Sequence, residues 1–315
     1  MLTRRLGRTD LDVSELSYGA ARGATQDPQQ FISTVRACFD AGINFVDTAG
    51  GYDGGDSEKV LGEALKGYDH VILETKYCPY ESYAVGAAYV GTPAALVAAA
   101  EESLRRLQRD RIDIFLGHGM RTLASLDQFM NDGCYAAMVK LRDQGKIRFL
   151  GISELSEGDG THEILQQAVP SGAFDVVMLT INLMLQTAAE SAIPLCNQHD
   201  VGTVVMMGLN QSSGVSGLTS LPAAQELIRR YIAAGQLPDE PPYTSPDVLD
   251  FLQPYSIPEA AIRFILAHQV STACVGMRTA ERLAQNLRAL DPPYLDEGRL
   301  AKLEELFGRI QWQSF

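Results

Sequence analysis

The 315-residue sequence predicts an α/β protein, a closed (β/α)8 TIM barrel read as one domain over residues 1–315. An N-terminal β-hairpin and a long insertion after the seventh barrel strand decorate it. Three observations point there. Short apolar runs alternate with amphipathic segments along the whole chain. Most of the runs are apolar throughout, the mark of a parallel sheet covered on its outer face. They number eight, which fits a barrel better than an open doubly wound sheet, although spacing by itself leaves both arrangements open.

Taken in order, residues 2–14 read as a small polar hairpin placed to plug the bottom of the barrel. The strand candidates are LSYGA (16–20), NFVDTA (44–49), VILETK (71–76), IDIFLGH (112–118), RFLGIS (148–153), VVMLTI (176–181), GTVVMM (202–207) and STACVGM (271–277). Between them QQFISTVRACFDAG, PAALVAAAEESLRRLQRD, DQFMNDGCYAAMVKLRDQGK and PEAAIRFILAHQ carry apolar residues at helical spacing. Pro93 and Pro258 suit first turns, and Gly42 and Gly145 suit C-terminal ends. The segment 208–255 is too long for an ordinary βα loop. It reads as a Gly/Ser-rich start (NQSSGVSG), a helix (LPAAQELIRRYIAAG) and a Pro-rich end, and is expected to lie over the barrel mouth.

Composition narrows the function. A formal net charge of −13 argues against a nucleic-acid partner, whose phosphates need a basic face. The apolar runs are too short for a membrane helix, and the N-terminus is too polar for a secretory signal, so a cytoplasmic protein is expected. Cys38, Cys78, Cys134, Cys196 and Cys274 are scattered without metal-ligand spacing, which fits reduced thiols. Asp47, Asp53 and Asp56 do not match a calcium loop, and no metal is expected. GISEL lacks the last glycine of a nucleophile elbow, and no G-x-G-x-x-G links a strand to a helix.

In such a barrel, chemistry sits where the strands end. The second strand ends in Asp47, with Tyr52 in the loop beyond; the third ends in Lys76 and the fourth in His118. Four polar groups therefore converge on one rim. A phenol with an ordinary pKa of about 10 is a poor acid near neutral pH. An ammonium beside it lowers that value, a carboxylate holds the ammonium, and an imidazole orients a carbonyl oxygen. Glycines around the tyrosine suit a flexible loop in which backbone and ligand approach closely.

With these residues in place, the chain resembles the aldo-keto reductase family. LGRTDLDVSELSYG, NFVDTAGGYDGGDSEKVLGEAL, ILETK, ESLRRLQRDRIDIFLGH, GKIRFLGIS and VGMRTAERLAQNL occur in family order from residue 2 to about 290. The resemblance implies a (β/α)8 barrel that binds extended NADP(H), less often NAD(H). It also implies a catalytic tetrad of Asp47, Tyr52, Lys76 and His118. Tyrosine is then the general acid and base in hydride transfer between a small carbonyl compound (aldehyde, ketone or sugar) and its alcohol.

The implied cofactor-binding set is Ser153, Met178, Met206, Leu209, Gly276, Arg278, Arg282, Gln285 and Asn286. Departures from the family pattern lie within and beside it. Glu154 replaces an asparagine after the fifth strand. Met178 stands where a glutamine is usual and Ile181 where a tyrosine is usual. Met206 and Met207 stand near the place of an aromatic. Gly276 and Met277 replace a basic residue and a serine, leaving Arg278 with Arg282 to grip a 2′-phosphate. These departures keep two alternatives open. One is an epimerase or dehydratase that uses bound nicotinamide without net redox, and the other is a redox-sensing subunit. Tyr77, Tyr80, Tyr83 and Tyr89 are expected to offer aromatic surface beside the mouth, and the tail QWQSF to help close it. Oligomeric state is not readable.

Overall fold

The structure, a computed structural model, describes residues 1–84, 86–155, 159–209 and 217–311. Strands β1 (Thr3–Arg5) and β2 (Asp12–Ser14) pair antiparallel as the expected hairpin. The eight apolar runs become β3 (Leu16–Gly19), β4 (Phe45–Asp47), β5 (Ile72–Tyr77), β6 (Ile112–Met120), β7 (Ile147–Glu154), β8 (Val176–Thr180), β9 (Gly202–Met206) and β10 (Thr272–Val275). They pair in parallel in chain order, and β10 closes onto β3, which decides for the barrel over an open sheet.

Two apolar layers result, because strand side chains alternate between faces. Outward residues such as Val46, Leu73, Phe115, Leu150 and Val177 join the helices in the large core. Inward residues Phe45, Ile72, Ile114, Leu116, Val176, Met178 and Val204 fill the barrel together with Leu6 and Val13 from the hairpin. The hairpin is therefore a plug. Leu6 lies so close to β9 that a Cβ on Gly202 would meet its side chain at 2.7 Å. Arg4 fastens the plug to the end of helix Ile257–Ala267 by donating to the carbonyls of Leu266 (2.8 Å) and Val270 (2.9 Å).

The helices mostly follow the expected pattern. Pro28–Asp40, Pro93–Leu107 and Ile257–Ala267 each begin with proline in the first turn. One segment differs: 127–146 holds parts of two helices, Leu123–Asn131 and Cys134–Asp143. Gly133 separates them at φ 97°, a left-handed conformation that ends one helix before the next begins.

Of the 208–255 segment, NQSSGVSG falls outside the described residues except for Gly217. The expected helix forms at Leu221–Ala233. The Pro-rich part is tied to helix Glu297–Phe307: Tyr243 Oη donates to the Leu306 carbonyl at 3.2 Å, and Arg299 Nε donates to the Phe251 carbonyl at 3.0 Å.

Leu6→Ala removes a fully buried side chain from the plug. It is expected to lower unfolding free energy by about 3 kcal/mol, read as a fall in the urea midpoint. The strand-end groups at the opposite rim should keep their arrangement, read as an unchanged near-ultraviolet spectrum before the transition.

Candidate active site

Asp47 is the last residue of β4, and Lys76 lies near the end of β5. Side chains two apart on a strand share a face, so Lys76 points inward with Glu74, the register partner of Asp47. The Lys76 side chain is shielded from solvent. Its ammonium forms an ion pair with Asp47 and donates to the Thr48 carbonyl at 2.7 Å. Burial works against the charged lysine, but the Asp47 carboxylate, the largest opposing influence, holds its pKa above the ordinary value, so it stays an ammonium.

Tyr52 follows in the loop, with Lys76 Nζ 5.2 Å from its ring centroid. Its ring meets His118 edge-to-face at a centroid distance of 5.8 Å. Burial pushes the Tyr52 phenol up to about 12, although the Lys76 charge pulls the other way. This corrects the sequence expectation: the ammonium does lower the phenol's pKa, but desolvation outweighs it and the net shift is upward. His118 is held well below its ordinary value by burial and by the charges of Lys76 and Arg121, so it is neutral near pH 7. Its buried Nδ1 has no hydrogen-bond partner among the described residues.

The glycine-rich loop is not held loosely, as its composition led us to expect. Residues Tyr52–Gly55 form a short 3-10 turn, with Asp53, Gly54 and Gly55 at φ 48°, 64° and 96°. A Cβ on Gly55 would strike the Arg106 guanidinium at 2.4 Å. Arg106 donates to the Gly50 carbonyl at 3.2 Å and to Glu102 at 2.8 Å, and it faces the buried Glu58 at 3.4 Å. Glu58 in turn accepts from Thr75 at 2.7 Å. The glycines permit left-handed turns and close packing on an arginine, which fixes the phenol in place.

Of the four expected pocket tyrosines, Tyr77 and Tyr80 are buried and Tyr89 is half-buried. Tyr83 is 45% exposed and faces the mouth, its ring 5.1 Å from His118 and 6.4 Å from Tyr52. Arg121 stacks on Tyr80 at 3.8 Å and donates to the carbonyls of Ser82 and Ala87, which holds the loop carrying Tyr83.

The candidate cofactor residues fall in two places. Ser153 and Met178 are register partners on β7 and β8, and Met206 lies on β9 beside Thr180. Ser153 Oγ accepts from the Gly119 amide at 2.7 Å, and among the described residues its own hydroxyl proton has no acceptor. Leu209 packs against the large core. Gly276, Arg278 and Arg282 are exposed just beyond β10, Gln285 is half-buried and Asn286 is buried. Arg282 donates to Gln285 at 2.9 Å.

Glu154, the replaced asparagine, is buried and engaged. It accepts from the Thr180 amide at 2.9 Å and pairs with His162 Nδ1 at 2.7 Å, while His162 Nε2 meets Thr187 Oγ1 at 3.0 Å. Burial lowers the His162 pKa, but the Glu154 carboxylate outweighs it and raises the value. Glu154 therefore links β7 to β8 through the Thr180 amide and to His162 through a buried ion pair.

Sequence reasoning did not single out Glu74, Arg106 or His162. Glu74 left one trace, a charged residue inside an apolar strand. His162 left none, because a left-handed residue eight positions beyond Glu154 carries no pattern.

The profile of the Aldo/keto reductase family matches residues 15–307, so the chain belongs to this family. It is 29% identical to L-galactose dehydrogenase of Arabidopsis thaliana, covering 99% of this chain and 97% of that protein. It is 26% identical to the NADH-specific methylglyoxal reductase of Escherichia coli (strain K12), covering 91% and 92%. Among solved structures, an aldo/keto reductase from Klebsiella pneumoniae in complex with NADP and acetate is 26% identical, with a TM-score of 0.68 over 99% of this chain and 97% of that one.

Arg106→Met leaves the buried Glu58 carboxylate without its cation and frees the Gly50 carbonyl. It is expected to cost about 3 kcal/mol of stability. Amide hydrogen exchange should rise at residues 50–55 while the barrel strands stay protected.

Proposed function

We propose that this aldo/keto reductase family oxidoreductase interconverts a small carbonyl compound and its alcohol with NADP(H), and that Tyr52 is the general acid and base. One observation carries the reading: a buried ammonium, fixed by Asp47 and the Thr48 carbonyl, stands beside the Tyr52 ring, with a neutral imidazole across the gap.

The rim residues fit a nicotinamide dinucleotide. Ser153 keeps a donor for the carboxamide. Among the described residues, a Cβ on Gly276 would have only the Gly19 carbonyl within 4 Å, at 3.8 Å, which leaves room for a ligand to approach the backbone. Arg278 and Arg282 supply planar cationic donors for a 2′-phosphate. The Klebsiella relative binds NADP, and the E. coli relative is named as NADH-specific. The two arginines favour NADP(H) here, with NAD(H) as the other outcome of a binding titration.

When bound, the reduced nicotinamide supplies the hydride. The chain's own residues do the rest. Neutral His118 directs its ring edge at the substrate oxygen and orients the carbonyl. As charge grows on that oxygen, the Tyr52 hydroxyl donates its proton, and Lys76 stabilises the phenolate left behind. Asp47 keeps the ammonium in position throughout. In the reverse direction the same phenolate takes the alcohol proton. Tyr83, above Tyr52 and His118, forms one wall of the substrate space. Sugars, ketones and aldehydes all fit such an aromatic and polar mouth, and the Arabidopsis relative, named for L-galactose, makes aldoses the first compounds to assay.

The test combines binding and turnover. Titration with NADPH and NADH followed by fluorescence should show binding of at least one. A screen of aldoses, ketones and aldehydes should then show cofactor oxidation. Tyr52→Phe should keep cofactor affinity and lose about 10³-fold in kcat. Binding without turnover, with no effect of the tyrosine change, would replace this reading with the sensor. Turnover without net change in cofactor would replace it with an epimerase or dehydratase.

The pH dependence follows from the two shifts. Tyr52 donates only while protonated, and burial raises its pKa, so reduction falls only as pH climbs far into the alkaline range. His118 is already neutral near pH 7, since its pKa is depressed, so acidification to mildly acid pH does not charge it. The kcat for carbonyl reduction is expected to be flat from about pH 6 to about pH 9.

A further inference from the structure

We infer that Glu74 is a positioning residue whose carboxylic acid donates a hydrogen bond to the Asp47 carboxylate and holds it against Lys76. The inference deepens the proposed function, since it rests on Lys76 and Asp47 serving Tyr52.

Glu74 lies inside the barrel, fully buried, one strand step below Lys76 on the same face. It is the register partner of Asp47 across the β4–β5 ladder. On its other side the register partner is Ile114 of β6, which is apolar and offers it nothing. Among the described residues neither Glu74 oxygen has a fully formed hydrogen bond, and its hydrogen-bonding neighbour is the Asp47 carboxyl. A buried carboxyl group without partners is expensive, and the structure must use or neutralise it.

The surrounding groups decide its state. Asp47 contributes one negative charge from β4, and Lys76 of β5 cancels it. Facing them from β10 are Cys274, whose thiol pKa burial raises well above the ordinary value, and Thr272. Ser17 stands on β3 beside Cys274, and among the described residues its hydroxyl has no other partner. Tyr52 beyond Lys76 is protonated near neutral pH. Lys76 is thus the one cation among these groups, and Asp47 already holds it. Ionising Glu74 would put a second carboxylate beside the first inside a closed barrel, which like-charge repulsion forbids.

The two carboxyl groups respond differently to burial. Burial raises both; the charge and hydrogen bond of Lys76 offset part of this at Asp47, which stays above its ordinary value, whereas at Glu74 the Asp47 charge adds to burial, outweighs the opposing Lys76 charge and drives the value well up. One proton therefore stays on Glu74. Asp47 bonds Lys76 through Oδ1, and its Oδ2 has only the weak Cys274 thiol contact at 3.9 Å. A hydrogen bond from Glu74 to Asp47 satisfies both carboxyl groups and sets up a relay of contacts, Glu74 to Asp47 to Lys76 to Tyr52.

Two measurements test this. The first needs no turnover: infrared difference spectra of wild type against Glu74→Gln at neutral pH. A protonated-carboxyl stretch present in wild type and absent in Glu74→Gln supports the inference; a carboxylate band lost in its place overturns it. The second is kinetic, with Glu74→Gln and Glu74→Leu. Glutamine can still donate to Asp47, so Glu74→Gln should keep kcat within about threefold and leave the alkaline limb of the pH profile unmoved. Leucine cannot donate, so kcat should fall about tenfold or more with KM little changed. If Glu74 were ionised, glutamine would remove a negative charge near Tyr52 and move the alkaline limb to lower pH, which overturns the inference. So does a leucine variant with wild-type kcat. If no substrate turns over at all, the proposed function fails, while the infrared result still decides the state of Glu74.

Discussion

A charged lysine enclosed at the rim of the barrel, held by Asp47 and the Thr48 carbonyl, is the interaction on which the rest of the structure depends. Taking an ammonium and a carboxylate out of water is costly, and their attraction offsets that cost only when the geometry is good and further hydrogen bonds are made. The fold meets both conditions. Parallel pairing of β4 and β5 brings the two strand ends together, and the carbonyl just past Asp47 turns toward the ammonium. The apolar interior and the Leu6 plug below keep water from the lower face. Removing either Asp47 or Lys76 alone would leave the other charge buried without its partner.

The loop carrying Tyr52 adds a second constraint. A phenol near a fixed ammonium is useful only if it is fixed as well. Left-handed turns at Asp53, Gly54 and Gly55 fold the loop over Arg106, and Glu58 and Glu102 hold that arginine. The phenol is set between two opposing influences. Burial favours its neutral form, and Lys76 favours its anion. In the proposed role, an acid that gives up its proton only as charge develops on a nearby oxygen gains from that balance.

Much of this was legible in the sequence, for physical reasons. Strands buried on both faces must be apolar throughout, so all eight barrel strands stood out. Polar residues at the ends of such strands are conspicuous, so Asp47, Lys76 and His118 were found, and Tyr52 followed from the loop. Contacts made across the fold were less visible. Nothing near Gly55 in the chain announces Arg106, and the glycines read as flexibility where they serve close packing. Glu154 read as a changed cofactor ligand because its partner His162 sits in a left-handed turn that spacing does not reveal. The break at Gly133 was hidden because the apolar pattern continues across it. The sign of the Tyr52 shift was misread because neighbouring charges can be inferred from sequence, whereas the depth of burial cannot.

The central claim is that the Lys76 charge acts directly on the Tyr52 phenol. Its most direct test is the Tyr52 titration, followed by carbon-13 NMR of ring-labelled tyrosine and assigned by its absence in Tyr52→Phe, in wild type and in Lys76→Met. Removing the ammonium takes away the influence that favours the anion, so the account predicts a higher Tyr52 pKa in Lys76→Met. An unchanged or lower value would contradict it.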